Sequence, residues 1–237
     1  MAYLIPELSV FFPAYNEEAN LENTVSKAVV VLDKIADKWE IIIVNDGSKD
    51  KTLDVARGLS EKNSGIRVIN HQVNKGYGAS LKSGFYNSKY DWIAFTDSDG
   101  QFDFSEITNF ITKQQMTSSE LVIGFYLDRK VSGWVKLTTR LWEFLIIVLF
   151  GLRVRDIDCA FKLISKKVII KIPKLESERG AFISSELLIK AKKAGFKIAE
   201  VGVHHYPRQA GSPTGRRLNV IIKSFLDLFK LWIQWIQ

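Results

Sequence analysis

Four short polar clusters in this sequence carry residue types that could do chemistry together: Pro13-Ala14-Tyr15-Asn16-Glu17-Glu18, Asn45-Asp46-Gly47-Ser48, Asn74-Lys75-Gly76-Tyr77-Gly78 and Asp97-Ser98-Asp99-Gly100-Gln101. The last is the most telling. Asp97 and Asp99 close an apolar run, Trp92 to Phe95, and Gly100 beside them permits a sharp turn. Two carboxylates so placed can face one hard divalent cation, which takes oxygen ligands and keeps phosphate oxygens as its other partners. Gln101 offers one more oxygen. A lone D-x-D is common in surface turns, and Asp46 or Asn74 alone serves equally well as a turn or cap former. The weight lies in where the clusters fall together.

Each cluster follows an apolar run that reads as a strand. Leu8 to Phe12 is stopped by Pro13, Glu40 to Val44 precedes Asn45, Ile66 to Ile69 precedes the glycine-punctuated segment, and Trp92 to Phe95 precedes the aspartates. Helical patterns lie between them. Val25, Ala28, Val29, Leu32 and Ile35 fit one face of a first helix, with Asn16 placed as its N-cap and Glu17 and Glu18 in its first turn. A second helix covers Lys51 to Lys62, and Asn74 to Lys82 opens a third. Strands alternating with helices predict a mostly parallel α/β sheet with right-handed crossovers. Ligands of such sheets collect at the carboxyl ends of the strands, so all four clusters would converge on one crevice. A G-x-G-x-x-G dinucleotide turn is not supported, because a proline turn without glycine follows the first strand.

The bulk composition is that of a globular chain: 237 residues, 46% hydrophobic and 25% charged. A net charge of +7 favours anionic partners: phosphates, nucleic acid or an anionic membrane surface. Nucleic acid is disfavoured, since no recognition motif or aromatic-basic stripe accompanies the charge. The single Cys159 excludes an internal disulfide and points to a reducing compartment. Met1 to Val10 lacks the form of a secretory signal, and one cysteine with no spaced histidine set does not indicate a zinc site.

The combination F-P-A-Y-N-E-E, V-N-D-G-S-K-D, N-K-G-Y-G-A and D-S-D-G-Q resembles the family 2 glycosyltransferases of GT-A fold. Within them it is most similar to the branch of dolichyl- and polyprenyl-phosphate sugar synthases. The resemblance runs from Leu8 to Arg217. It implies an inverting, metal-dependent enzyme using Mg²⁺ or Mn²⁺ and a UDP- or GDP-linked sugar donor. Pro13, Ala14, Tyr15 and Glu17 would hold the nucleobase and ribose, and Asp46 the base or ribose. Lys75, Gly76 and Ser98 would complete the nucleotide site, Lys75 being read equally well as an exposed loop lysine. Asp97, Asp99 and Gln101 would take the metal and diphosphate. A leaving nucleoside diphosphate gains negative charge as the glycosidic bond breaks, and a divalent cation neutralises it.

The second half extends the pattern. Glu120 to Gly124 is expected as an edge strand, followed by Phe125-Tyr126 where relatives often carry a base; the nearest cation is Arg129. Trp134 to Leu152 has a helical pattern, too short to cross a bilayer and interrupted by Glu143, fitting either a core or an interfacial helix. Arg155 to Lys162 resembles the family segment D-x-x-x-G-F-[RK] on the acceptor side. On an extended segment Asp156 and Asp158 would share a face, one acting as general base toward a hydroxyl acceptor. A lipid-phosphate acceptor needs no base, and they would then position it; alternatively, one aspartate caps the turn and Lys162 pairs with it. Glu186 matches a family acid facing the cleft, or is a plain first-turn glutamate. Lys197 to Val203 is a strand, and the loop after it resembles the family's R-x-x-G-x-S through Arg208, Gly211 and Ser212. Arg208, Ser212 and Arg216, with Arg129, make the expected phosphate clamp. His204 or His205 is a further metal ligand or a solvent-side or packed histidine.

From Leu218 the polar residues Asn219, Lys223, Asp227, Lys230, Gln234 and Gln237 form one narrow stripe on an otherwise apolar helix carrying Trp232 and Trp235. Such a helix lies in a membrane surface or packs on a partner, a second copy of this chain included. The expected organisation is a GT-A domain over 1–217, with a nucleotide half about 1–101 and an acceptor half about 102–217, then an amphipathic helix over 218–237. The expected protein works peripherally or monotopically at the cytoplasmic face of a membrane on a lipid-phosphate or glycan acceptor. The rivals are transfer to a saccharide or other hydroxyl, and a non-catalytic nucleotide-binding scaffold.

Overall fold

The computed structural model describes residues 3–128, 133–178, 180, 182–208 and 225–233, and for 133–139 the backbone only. Arg129, Ser212 and Arg216 of the expected clamp lie outside the described residues.

The strands are β1 (Ile5–Ala14), β2 (Ala36–Asp46), β3 (Ile66–His71), β4 (Trp92–Phe95), β5 (Leu121–Tyr126), β6 (Lys162–Ser165) and β7 (Ile198–Val203). They form one sheet in the order β3-β2-β1-β4-β6-β5-β7. The four consecutive apolar residues Ile41 to Val44 of β2 are fully buried on both faces, as a central parallel strand requires. One face is covered by α1 (Leu21–Ile35), α2 (Thr52–Lys62) and α4 (Ile107–Thr117). The other is covered by α3 (Tyr77–Asn87), α5 (Gly133–Phe150), α6 (Lys166–Lys171) and α7 (Phe182–Lys193).

Two expectations fail against this topology. Glu120 to Gly124 is not at an edge: β5 pairs with β6 on one side and β7 on the other, and β7 is the edge. The cause is β6, four residues running antiparallel to both β4 and β5, too short to read from periodicity. Asn16 does not cap α1. It sits in the left-handed region at φ 56°, and α1 begins at Leu21 with Asn20 at the cap position. The Asn16 side chain is engaged across the crevice instead, accepting from the Lys49 amide at 2.8 Å.

The layer between β1, β4 and α3 holds the rings of Phe11, Phe85 and Phe95, with centroids 5.0 to 5.4 Å apart. Gly84 lets α3 approach: a Cβ there would meet the Phe11 ring at 2.3 Å. Gly84→Ala is therefore expected to lose about 1–3 kcal/mol through overpacking, against the ordinary helical preference for alanine. Urea denaturation measures it; a neutral or stabilising effect would mean that the phenylalanine layer gives way freely.

α5 combines both readings offered for it. Ile146 and Phe150 are buried, while Leu141, Phe144 and Val148 are exposed on the opposite side. The described part of the C-terminal helix, 225–233, buries Leu228 and Leu231 against the same core. Its polar residues Asp227 and Lys230 line a cleft with Glu176, and Lys230 pairs with Glu176 at 2.9 Å. Phe225, Leu226, Phe229 and Ile233 are left outside. Among the described residues no helix is long and apolar enough to cross a membrane.

Candidate active site

The carboxyl ends of β1 and β2 carry loops that are laced to each other. The Asn16 amide donates to Ser48 Oγ at 3.0 Å, Glu17 N to Thr52 Oγ1 at 2.8 Å, and Lys51 N to Glu18 Oε2 at 2.8 Å. Each side chain satisfies a backbone donor that strand or helix geometry leaves over. The result is a fixed wall running from Pro13 to Glu17 beside Asp46, in which Pro13, Ala14 and Glu17 are buried, Ala14 within the hydrophobic core, and Tyr15 is partly exposed.

Asp46 is almost wholly committed to the protein. Its Oδ1 accepts from Lys75 N at 2.9 Å and its Oδ2 from Gly76 N at 2.8 Å. His71 Nδ1 lies 2.7 Å from Asp46 Oδ1, and its Nε2 lies 2.9 Å from Ser83 Oγ. Asp46 thus shapes the loop that starts α3, and Gly76 takes a φ of 102° there that disfavours a side chain. Lys75 contributes its amide, and its side chain is exposed. Sequence reasoning misses His71. Its one signal is its position at the end of β3, directly opposite Asp46 in the parallel register.

Beyond β4 the paired aspartates have different partners. Tyr77 Oη donates to Asp97 Oδ1 at 3.0 Å. Asp99 Oδ1 accepts from Gln101 N at 3.0 Å, and its Oδ2 accepts from Arg208 Nη2 at 2.7 Å. Arg208 Nη1 donates to Glu17 Oε1 at 2.9 Å, so one guanidinium bridges the β1 loop and the aspartate turn. Burial pushes the Asp97 carboxyl up to about 7, the Asp99 charge adding to it, while Tyr77, Lys162 and Arg208 act in the opposite sense. Burial also raises the Glu17 carboxyl from its ordinary value, against the pull of Asn20 and Arg208. Two carboxylates whose charges act on each other are donors of the type a hard divalent cation takes, although among the described residues no group of three or more His, Cys, Asp or Glu is gathered for one. Ser98 turns from the crevice and donates to Pro13 O at 2.7 Å, joining the ends of β4 and β1. Gln101 Nε2 donates to Tyr206 O at 3.0 Å.

The acceptor-side segment does not run extended, which corrects the shared-face expectation for Asp156 and Asp158. It bends at 155–160, and Asp156 Oδ1 accepts from Asp158 N at 2.9 Å and Cys159 N at 3.0 Å. Asp156 is the buried cap of this turn and Asp158 is partly exposed. Lys162 lies opposite Phe95 in the β4–β6 pair, fully buried, its Nζ donating to Ile157 O at 3.2 Å and to Cys159 O. Burial lowers the pKa of that amine, against the charges of Asp156, Asp158 and Asp97, and the Phe95–Lys162 pairing sets the start of β6 beside the end of β4 that leads to Asp97. Burial pushes the Cys159 thiol up to about 12, which removes it as a nucleophile.

Glu186 is buried within α7, accepting from Glu176 N at 2.7 Å, Ser177 N at 2.9 Å and Lys190 Nζ at 2.6 Å. It fastens the 176–178 segment, onto which Gly78 packs so closely that a Cβ would meet Ser177 O at 2.6 Å. His204 Nδ1 lies 2.6 Å from Glu106 Oε1, and the His205 ring packs on Phe102 and Tyr126. Both histidines are thereby engaged on the α4 side of the sheet.

The sheet is mostly parallel and its strand ends gather laced polar loops around an aspartate pair, the arrangement expected of the GT-A fold. Residues 9–172 match the family described as Glycosyl transferase family 2, and the chain belongs to that family. It is 30% identical over 244 residues to a dolichyl-phosphate beta-glucosyltransferase of Trichomonas vaginalis, covering 95% of this chain and 73% of that one. It is 28% identical over 207 residues to the dodecaprenyl-phosphate galacturonate synthase of Rhizobium johnstonii, covering 86% of this chain and 60% of the relative. Glucosyl-3-phosphoglycerate synthase from Mycobacterium tuberculosis, solved with Mg²⁺ and UDP, shares the fold with a TM-score of 0.69 at 22% identity, covering 94% of this chain and 79% of that one.

Proposed function

We propose that the protein moves a sugar, with inversion, from a UDP- or GDP-linked donor to a polyprenyl phosphate at a membrane surface. The observation that supports this reading is that β6 pairs with β4 at Phe95 and Lys162, two residues before Asp97, while Arg208 joins Asp99 to Glu17 of the β1 loop. The names of the lipid-phosphate relatives support the choice of acceptor.

In this reading the wall from Pro13 to Glu17 receives the nucleoside, and the loop held by Asp46 closes its other side. Asp97 and Asp99 would hold Mg²⁺ or Mn²⁺, with Gln101 adjacent, the remaining oxygens coming from the diphosphate and water. When bound, the cation supplies neutralisation of the charge that develops on the leaving diphosphate. The Arg208 guanidinium, which bonds Glu17 and Asp99 through its two terminal nitrogens, has donors that phosphate oxygens accept as well as carboxylates do, so it would serve the same leaving group. Lys162 holds the acceptor turn and balances the aspartates. A phosphate monoester with a second pKa of about 6 is already a nucleophile at neutral pH, so no side chain has to take a proton.

Membrane attachment is assigned to the outer faces of α5 and the C-terminal helix. Leu141, Phe144, Val148, Phe225, Leu226, Phe229 and Ile233 are all exposed. Trp142 meets Phe225 edge-on at 5.1 Å and joins the two helices. An apolar surface of this kind with a basic protein behind it suits an anionic cytoplasmic leaflet. Packing of the same surface on a second copy is the rival arrangement.

Transfer from UDP-glucose, UDP-galactose and GDP-mannose to polyprenyl phosphate in anionic vesicles, with Mn²⁺ present or chelated, tests the reading. Asp158→Asn separates the acceptors, since the Asp156 carboxylate is committed to its turn. Loss of less than about tenfold in rate is expected with a phosphate acceptor; loss of about 10²–10⁴-fold would favour a base-dependent hydroxyl acceptor. Absence of transfer and nucleotide binding alongside retained vesicle binding would favour the scaffold.

A further inference from the structure

Arg208 is held between two anions. Its two terminal nitrogens lie 2.9 Å from Glu17 Oε1 and 2.7 Å from Asp99 Oδ2, with the arginine side chain 22% exposed and the carboxylates 9% and 6%. Charge-assisted bonds of this length in a largely desolvated setting are the strong kind. The main chain leading to it is fastened: Tyr206 N donates to Gln101 O at 2.9 Å, and Gln101 Nε2 donates back to Tyr206 O at 3.0 Å. Arg208 thus reaches the aspartate turn from a fixed base at the residues that follow Asp99.

We propose that Arg208 and the divalent cation compete for Asp99 Oδ2, and that the donor's diphosphate resolves the competition by drawing the guanidinium onto its own oxygens. Metal and nucleotide then bind with positive coupling routed through Arg208. The inference rests on the donor and metal reading above and adds to it a reason for the metal to bind weakly on its own.

The two aspartates differ in a way that locates the competition. Tyr77 offers Asp97 a neutral hydroxyl, which occupies one lone pair and leaves the carboxylate's charge for a cation. Arg208 offers Asp99 a full positive charge, and a divalent cation on the same carboxylate would face it at close range. Each terminal nitrogen of Arg208 now bonds a different carboxylate, and a diphosphate supplies oxygens that can accept from both at once, so the guanidinium can exchange partners without losing its hydrogen bonds. The fixed base at Tyr206 means that the exchange needs only the arginine side chain to turn. Linkage requires reciprocity: whatever factor the nucleotide adds to metal affinity, the metal adds to nucleotide affinity.

The test is Mn²⁺ binding to wild type, Arg208→Gln and Arg208→Lys, read from the electron paramagnetic resonance of free Mn²⁺, first alone and then with UDP or GDP. Thermal unfolding is run on the same samples to establish that each variant is folded. Arg208→Gln is expected to bind Mn²⁺ alone about tenfold more tightly than wild type and to bind Mn²⁺ with nucleotide more weakly. Arg208→Lys, which keeps the charge, is expected to stay near wild type for Mn²⁺ alone. Equal or weaker binding of Mn²⁺ alone by Arg208→Gln overturns the competition, as does binding to none of the three proteins. Failure of wild type to bind UDP or GDP with Mn²⁺ present would instead overturn the donor reading, while the comparison in Mn²⁺ alone still decides the competition.

Discussion

Asp97→Asn is expected to cut sugar transfer by about 10³-fold or more and yet to make the metal-free protein more stable at pH 8. The two effects share one cause. Burial and the charge of Asp99 push the Asp97 carboxyl up to about 7, so the folded protein holds a proton there that the unfolded chain, with the ordinary aspartate value of 3.8, releases. Stability from that proton is fully present below the unfolded pKa and is lost as pH rises through the folded one, so the window is about pH 4 to 7. Above it, wild type carries an ionised carboxylate crowded against Asp99, whereas asparagine has the same shape and no charge. The gain at pH 8 is expected to be on the order of 1–2 kcal/mol and to shrink toward pH 4. Urea denaturation of both proteins in a chelator at pH 8 and pH 5 measures it. A variant less stable than wild type at pH 8 would mean that Tyr77, Lys162 and Arg208 more than offset the repulsion. Mn²⁺ should then raise the stability of wild type and leave the variant nearly unchanged, because binding to the folded state alone adds stability.

The second large effect is on Lys162. Its side chain has no exposure, and its amine is shared between the carbonyls of Ile157 and Cys159 while facing Asp156, Asp158 and Asp97. Lys162→Ala leaves two orphaned carbonyls, three carboxylates without their nearest buried cation, and a cavity in the β4–β6 layer. A loss of about 3–5 kcal/mol is expected. Lys162→Met retains most of the volume and removes only the charge and hydrogen bonds, so it should lose roughly half as much. The pair of variants, measured by urea denaturation, separates packing from electrostatics. A loss below about 1 kcal/mol in the alanine variant would show that the acceptor turn keeps its shape without the amine.

Much of the site is legible in the chain itself. The turn after β1, the Asp46 loop, the glycine segment and the aspartate pair are local runs tied to strand ends, and a doubly wound sheet has only one edge at which such ends can meet. A turn-capping aspartate is one of the alternatives open from the sequence, and in the structure Asp156 Oδ1 accepts from two amides of its turn. The sequence misleads where a distant partner outcompetes a local one. Asn16 has the residue type of a helix cap, but the backbone of the second loop offers its side chain a donor at Lys49. Glu120 to Gly124 reads as an edge strand until the short antiparallel β6 takes its place beside it.

By itself the sequence determined the α/β class and the alternation of elements, because periodicity and turn chemistry act within a few residues, and its motifs carried the resemblance to the family. Only the tertiary structure decided that Arg208 bridges Glu17 and Asp99, partners 191 and 109 residues away in the chain. It also decided that His71 supports Asp46, that Lys162 is a buried hub, and that Leu228 and Leu231 of the C-terminal helix enter the core while Leu226 and Phe229 stay outside. Those outcomes depend on burial and on which charges are brought within a few ångströms, and both are set by how the layers close on each other.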